Sequence, residues 1–484
     1  MSADFVQTAA PTTRAELRRQ AQAHLRSERK TQRRDARQLA AARRVLEALA
    51  PKLNSRIAME LWDGTQVALG DDVAVGDEGE YRIRLAGPGV IASLLRRPTP
   101  DNLLRHYARG HIDFAGTDLY TFLSTARVKN SRRKSRSLPK LLMAKSVLPF
   151  VFETPTHPTA DHVFDGDETG RSRQDGDNTD FIQFHYDISN DFYRLFLDER
   201  MVYSCGYFTD WDNTVDQAQH DKLDITCRKL QLSEGDRYLD IGCGWGALVI
   251  HAAENYGVRA HGITLSEEQL ALAQERVDAR GLSDRVTLEL RDYNTMSPQY
   301  DAAFDKVSSV GMVEHVGIDN MQDYMRTVAR LMTDRGLFLN HGITRPAKRT
   351  AKQFRKMTPE RRLLAKYIFP GGELDHLGHM IESTEAAGFE VHDSEGWRDH
   401  YALTCRLWSQ RLHARRDEAV AMVGQEKFRM WMLYLVGCAF AFEDGSARIF
   451  QTLATRHASK GHSTTPPTRA HLYAERKTAV RRAA

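Results

Sequence analysis

The chain has 484 residues, 41% of them hydrophobic and 27% charged, which is too long for one core and too apolar for a chain disordered throughout. Its net charge of +4 hides strong local contrasts: residues 14–44 hold eleven Lys or Arg against three acids, and 127–145 hold eight against none. Five cysteines, at 205, 227, 243, 405 and 438, form no CxxC pair and are too sparse for a disulfide scaffold, so no zinc site is read and a reducing compartment is expected.

In chain order, residues 1–50 read as a basic helical extension, because 13–50 are rich in Arg, Ala, Gln and Leu and contain neither Pro nor Gly. Residues 51–150 read as a small α+β domain, with β-like runs at 66–69 and 81–85 and helical runs at 102–107 and 119–126. The stretch 161–180 carries seven acids, several glycines and few apolar residues, so 151–180 is expected to be a linker and the main boundary. From 181 to 455 strand runs at 236–241, 259–264, 286–290, 304–309 and 336–342 alternate with amphipathic segments. The first four are spaced widely enough for crossover helices, which predicts a doubly wound, Rossmann-like parallel α/β sheet. The tail, 456–484, has seven basic residues against one acid and is expected to be loose.

The N-terminus lacks the charged start and apolar run of a secretory signal, and the most apolar stretch, 431–442, is far short of the ~20 residues that a spanning helix needs. A cytoplasmic protein is expected. The basic segments would suit a polyanion such as an anionic bilayer, although a solvated helix face explains them equally well.

The strongest motif is 238–246, YLDIGCGWG, where the first strand of the sheet should turn into a helix. Glycines there let the backbone turn tightly and approach a ligand at the carboxyl end of the strand. The dinucleotide pattern GxGxxG is only approached by GCGWGA, and Asp240 stands two residues before Gly242, placed for a cofactor ammonium. These features favour S-adenosylmethionine. Farther on, Thr264, Leu265, Ser266 and Gln269 offer hydroxyl and amide groups after the second strand, although Ser266 and Gln269 also form a helix capping box. Asp292 and Tyr293 follow the third strand, where an adenine-edge acceptor and a flanking ring would be useful.

Five ordered motifs carry a family resemblance: 184–193 (FHYDISNDFY), 203–208 (YSCGYF), the glycine turn, 310–317 (VGMVEHVG) and 367–372 (YIFPGG). Over about residues 180–455 the chain resembles the cyclopropane-fatty-acid synthase and mycolic-acid methyltransferase family. The resemblance implies a class I methyltransferase fold with helical additions over an acyl site. It also implies that Tyr203, Ser204, Gly242, Cys243, Gly244, Thr264 to Gln269, Asp292 and Tyr293 surround S-adenosylmethionine. It further implies a bicarbonate held by the Cys205 backbone, Glu314, His341, Ile343 and Tyr401. Cys438 matches a cysteine once favoured as catalytic in that family, but a lone cysteine in an apolar helix is more simply core. One departure is 442–445, FEDG, where the family tends to be basic.

The chemistry so implied is transfer of a one-carbon unit to the double bond of an unsaturated acyl chain in a membrane phospholipid, on the inner leaflet. An alkene is a weak nucleophile and must be held against the methyl donor; the resulting cation needs ring faces, for which Tyr186, Tyr203, Tyr207 and Phe208 are candidates. Glu314 and His341 suit the final proton removal. The alternative is a methyltransferase acting on a small soluble amine, since plant alkaloid N-methyltransferases share the same motifs. No nucleic-acid partner is expected, because no RNA-binding motif accompanies the arginine-rich start. A homodimer is compatible with the sequence, which does not fix the oligomeric state.

Overall fold

The computed structural model describes residues 14–53, 55–70, 81–126, 140–159, 189–458, 461 and 463–473. The linker 161–180, the stretch 184–188 with Tyr186, most of the basic run 127–145 and the last eleven residues lie outside the described residues. The chain divides into two compact units, Met1–Thr159 and Ala160–Ala484.

In the first unit, helix α1 (Arg14–Leu53) is exposed over its arginine-rich beginning and buried toward its end. Ala41 and Ala42 pack against Leu61 and Phe150, and Gln38 donates from Nε2 to Pro149 O at 3.1 Å and Glu153 Oε2 at 2.6 Å. The helix runs past residue 50 and packs its later turns into the small domain, Leu39 and Leu46 joining the two alanines there. Four short strands, β1 (Ala58–Glu60), β2 (Gln66–Ala68), β3 (Arg82–Leu85) and β4 (Ile112–Ala115), pair in the order β2-β1-β3-β4. Helices α2 (Pro88–Arg96), α3 (Pro100–Ala108), α4 (Leu119–Ala126) and α5 (Lys140–Val151) complete the unit. Thr99 caps α3 by accepting from Asn102 N, with Pro100 at the first helical position.

The second unit is built on seven strands: β5 (Arg237–Ile241), β6 (Arg259–Thr264), β7 (Val286–Leu290), β8 (Phe304–Val310), β9 (Met332–Thr344), β10 (Phe389–Gly396) and β11 (Arg448–Arg456). Their order is β10-β11-β9-β8-β5-β6-β7, with β5, β6, β7, β8 and β9 parallel and β11 antiparallel to both its neighbours. The expected doubly wound sheet is present. Alternate residues of the central strands feed two cores. Tyr238 and Ala260 pack with Leu248, Val249 and Val277, whereas Leu239, Ile241 and Ile263 pack with Met325 and Val328. The switch point lies between β5 and β8, and the carboxyl ends of these strands open the crevice where such sheets bind ligands.

Helices α6 (Val215–Lys229), α7 (Ala247–Tyr256), α8 (Glu267–Asp278), α9 (Val313–Val316), α10 (Arg398–Ala414) and α11 (Arg416–Glu443) position the site. The apolar stretch 431–442 lies within α11, and among the described residues no helix is long and apolar enough to cross a membrane. Beyond β11 part of the tail is docked: Leu472 is buried and its carbonyl accepts from Arg228 Nη1 at 3.1 Å.

Candidate active site

The crevice is an open cleft built around the turn from β5 into α7. Gly242 adopts φ +79°, and a Cβ there would lie 2.5 Å from Met312 Sδ, so glycine is required on both counts. The N–H groups of Gly242 and Cys243 donate to Ile263 O at 3.0 and 2.9 Å, which ties the turn to the end of β6. Asp240 is buried below it; Ser308 Oγ donates to its Oδ1 at 2.5 Å and shares a 2.5 Å hydrogen bond with the Tyr238 hydroxyl. Burial pushes the Asp240 carboxyl up to about 7, against the Ser308 hydrogen bond and the Lys222 ammonium.

Tyr203, Ser204, Asp240, Gly242, Cys243, Gly244, Thr264, Leu265, Gln269, Asp292 and Tyr293 all line the cleft. Ser266 does not. It caps α8 by accepting from Gln269 N at 3.3 Å, and so orients Gln269, whose Oε1 accepts from Thr264 Oγ1 at 3.0 Å. Tyr293 is fixed edge-on to Tyr324, ring centroids 4.8 Å apart. Lys222, Trp245, Arg291, Met312 and His315 also line the cleft without having been assigned a role from sequence. Trp245, Met312 and His315 lie inside the quoted motifs and Arg291 directly precedes Asp292; Lys222, on α6, had no local signal.

Next to the cleft stands a second group. Glu314, on the short helix α9, accepts from Ile343 N at 2.6 Å through Oε1, while the buried Oε2 has no partner among the described residues. Burial pushes this carboxyl up to about 7. His341, two residues before Ile343 on β9, is buried with neither ring nitrogen hydrogen-bonded among the described residues, and burial pulls its pKa well below the usual imidazole value. Trp397 joins the parts: its ring meets His341 edge-on at 5.2 Å, and its carbonyl accepts from Cys205 Sγ at 3.8 Å.

Tyr401, on α10, is stacked on Phe442 at 4.5 Å; burial raises its phenol, and Cys205, Tyr203 and Cys438 are among the groups around it. Cys438, on α11, is a thiol pushed up to about 12 by burial, too high to furnish a thiolate near neutrality. Cys205 and His341 thus meet at Trp397, Tyr401 stands by Cys205 and Cys438, and Glu314 is tied to β9 through Ile343 N. Of the ring donors considered, Tyr203 belongs to an aromatic group with Tyr193, Trp408 and Trp431, and Tyr207 lies against Trp397 at 4.8 Å. Phe208 lies farther out, stacked on the exposed Trp211. The acids of the 442–445 departure are exposed at the end of α11, where Arg398 Nη1 donates to Phe442 O and Glu443 O.

The profile described as mycolic acid cyclopropane synthetase matches residues 173–452. The chain belongs to that family. A relative in Pseudomonas putida described as a "Probable fatty acid methyltransferase" is 38% identical over 441 residues, 89% of this chain and 100% of that one. A second with that description, in Mycobacterium tuberculosis, is 33% identical and covers 81% of this chain and 90% of itself. Two solved structures, the cyclopropane synthase MmaA2 from Mycobacterium tuberculosis and the mycolic acid cyclopropane synthase CmaA1 complexed with SAH and CTAB, each align at TM-score 0.53 and 33% identity. Each alignment covers 57% of this chain and 98% of the other. This member of the cyclopropane synthetase family is accordingly an S-adenosylmethionine-dependent methyltransferase of class I fold.

Proposed function

We propose that the enzyme transfers a one-carbon unit from S-adenosylmethionine to the double bond of an unsaturated acyl chain of a membrane phospholipid, giving a cyclopropane or a mid-chain methylene or methyl branch. The observation that carries this reading is that Glu314 and His341 are buried with hydrogen-bonding capacity unfilled among the described residues, Glu314 lying in sequence between the cleft-lining Met312 and His315, and His341 against the Trp397 ring. The names of the relatives support an acyl substrate.

S-adenosylmethionine supplies an electrophilic methyl on a sulfonium. The chain's part is to hold the alkene against it in a dry space, where positioning can remove about 7–11 kcal/mol of barrier. The alkene electron pair forms the new C–C bond as the S–C bond breaks, leaving a carbocation on the acyl chain. Tyr203, which lines the cleft, offers an aromatic ring to such a cation. Glu314, poised to be half ionised near pH 7, then takes a proton directly or through a small oxyanion. Loss from the new methyl closes a cyclopropane; loss from a neighbouring carbon leaves an alkene.

The donor set fits a bicarbonate in part. Glu314 Oε2 and the two His341 nitrogens are buried polar atoms without partners, and a small acceptor-donor anion would satisfy them. The Ile343 amide is already given to Glu314 Oε1, so Ile343 would act by orienting that carboxyl. A bound bicarbonate would supply a second proton acceptor there.

Peripheral docking on an anionic bilayer belongs to the same proposal. At the end of α5 Leu148, Val151 and Phe152 are 62%, 46% and 88% exposed, and Leu95 on α2 is 43% exposed. Arg96 donates to Val151 O and Glu153 O, both at 2.9 Å, and Arg97 and Lys145 are exposed nearby in sequence. Apolar tips with basic neighbours suit a headgroup interface.

The test is incubation of the full chain with labelled S-adenosylmethionine and vesicles of unsaturated phospholipid, followed by mass spectrometry of the acyl chains. Label in the acyl chain is expected, and label found only in an added soluble amine would overturn the reading. Vesicle binding should weaken with salt and with Phe152→Glu; binding indifferent to both would remove the docking face.

A further inference from the structure

Helix α6 carries a lysine that neither the fold nor the chemistry above has used. Lys222 is 3% exposed, yet it lines the cofactor cleft, as does Asp240 across from it at the end of β5. Of the Lys and Arg side chains lining the cleft, Arg291 is committed to Glu289 and, at 3.5 Å, to Thr295 O. The Lys222 ammonium makes no hydrogen bond to the described residues. Its acidic surroundings are partly spoken for: Asp198 already accepts from Val202 N at 2.8 Å and Arg200 N at 3.0 Å, and Asp240 holds Ser308.

A buried ammonium without hydrogen bonds is costly, and it persists where a partner of opposite charge completes it. Burial pulls Lys222 down to about 8, with Asp240 and Asp198 pulling the other way, so it remains largely charged at neutral pH. Beside the glycine turn, and in addition to Arg291 and Asp292, the cleft therefore presents a cation and a carboxyl from two different elements.

We propose that Lys222 and Asp240 together read the amino-acid end of the cofactor, Lys222 taking its carboxylate and Asp240 its ammonium. This rests on the assignment of the cleft to S-adenosylmethionine. It gives Lys222 a role as a cofactor-binding and positioning residue: by fixing both charges of the methionine part it would set the direction in which the sulfonium methyl points. A purely structural lysine, neutralising Asp240 and Asp198, is the competing account, and the two differ in what the carboxylate of the ligand contributes.

The experiment is calorimetric titration of the full chain with two probes, S-adenosylhomocysteine and its decarboxylated counterpart, 5′-deoxy-5′-(3-aminopropylthio)adenosine. The wild type should bind the decarboxylated probe about 10- to 100-fold more weakly, the range of a charged hydrogen bond. Lys222→Met should lose a similar factor for S-adenosylhomocysteine while changing the decarboxylated probe by less than about threefold, and Lys222→Arg should recover part of the preference. Equal weakening of both probes in Lys222→Met, or a wild type that does not distinguish them, would overturn the proposal and leave the cleft assignment standing. A wild type that binds neither probe would overturn both. The wild-type comparison needs no variant, so it decides even if Lys222→Met fails to fold.

Discussion

The two halves of the site are built in opposite ways. At the glycine turn the polar groups that shape the backbone are satisfied within the chain, Asp240 by Ser308, Thr264 by Gln269, and the amides of Gly242 and Cys243 by Ile263, with the Lys222 ammonium left over for a ligand. At the other half Glu314 Oε2 and both His341 nitrogens are buried without partners. A satisfied half is a preformed seat, and a half with orphaned polar atoms keeps its capacity for a guest or a proton. On the proposed function, the contrast would separate holding the donor from finishing the reaction, and that separation can be tested.

The largest effect is expected from Glu314→Gln. The amide oxygen can still accept from Ile343 N, so the local fold is kept while the proton acceptor is lost. Turnover should fall about 10²- to 10⁴-fold, the range for a general base, with S-adenosylhomocysteine affinity nearly unchanged. Loss of affinity equal to the loss of turnover would show that the two halves are not separate. On the other side, Gly242→Ala forces a side chain into φ +79° and against Met312 Sδ. Strain of this kind costs about 1–3 kcal/mol, so cofactor binding should weaken by roughly one to two orders of magnitude. Adding Met312→Ala should return the part due to the clash; full recovery would mean that backbone strain contributes nothing.

The same contrast explains what could be read in advance. The satisfied half is local: glycines, Asp240 and the Thr264 to Gln269 cap lie within a few residues of strand ends, and the five central strands announce themselves as apolar runs. The guest-binding half was legible only through family resemblance, because Cys205, Glu314, His341 and Tyr401 are brought together by tertiary packing. Trp397, which links Cys205 to His341, carried no signal of its own. Strands β10 and β11 were not foreseen. The first is an edge strand with mostly half-buried polar residues, and its pattern FEVHDSEG shows no apolar alternation past Val391. Strands β1 and β4 have three and four residues, too few for a period to emerge.

An intermediate effect concerns pH. If the Glu314 carboxylate is the proton acceptor, turnover should rise about tenfold per pH unit below about 7 and level above it. The carboxyl is raised in the folded state from its ordinary 4.5, so its contribution to stability is fully present below about 4.5 and lost as pH climbs through about 7. The carboxyl contribution to the stability of the unliganded protein should therefore fall between pH 5 and pH 8, against an opposite contribution from His341, which burial holds neutral. Glu314→Gln should flatten part of that fall, while Asp240, raised for the same reason, keeps the rest. A melting profile identical in wild type and variant would contradict the burial of Glu314.

The smallest effect is expected at Cys438, and it is informative because a nucleophile there would reverse the order of the whole series. Its thiol is held up to about 12 by burial, so at pH 7–8 the thiolate fraction is negligible, and its neighbours Tyr401 and Tyr434 make it part of the wall around the second half. Cys438→Ser keeps that volume within an atom's difference in size. Turnover on vesicles should stay within about fivefold of wild type, equivalent to ~1 kcal/mol of barrier. A drop as deep as that of Glu314→Gln would move the proton acceptor from the carboxylate to the sulfur, and with it the chemistry assigned to the unsatisfied half.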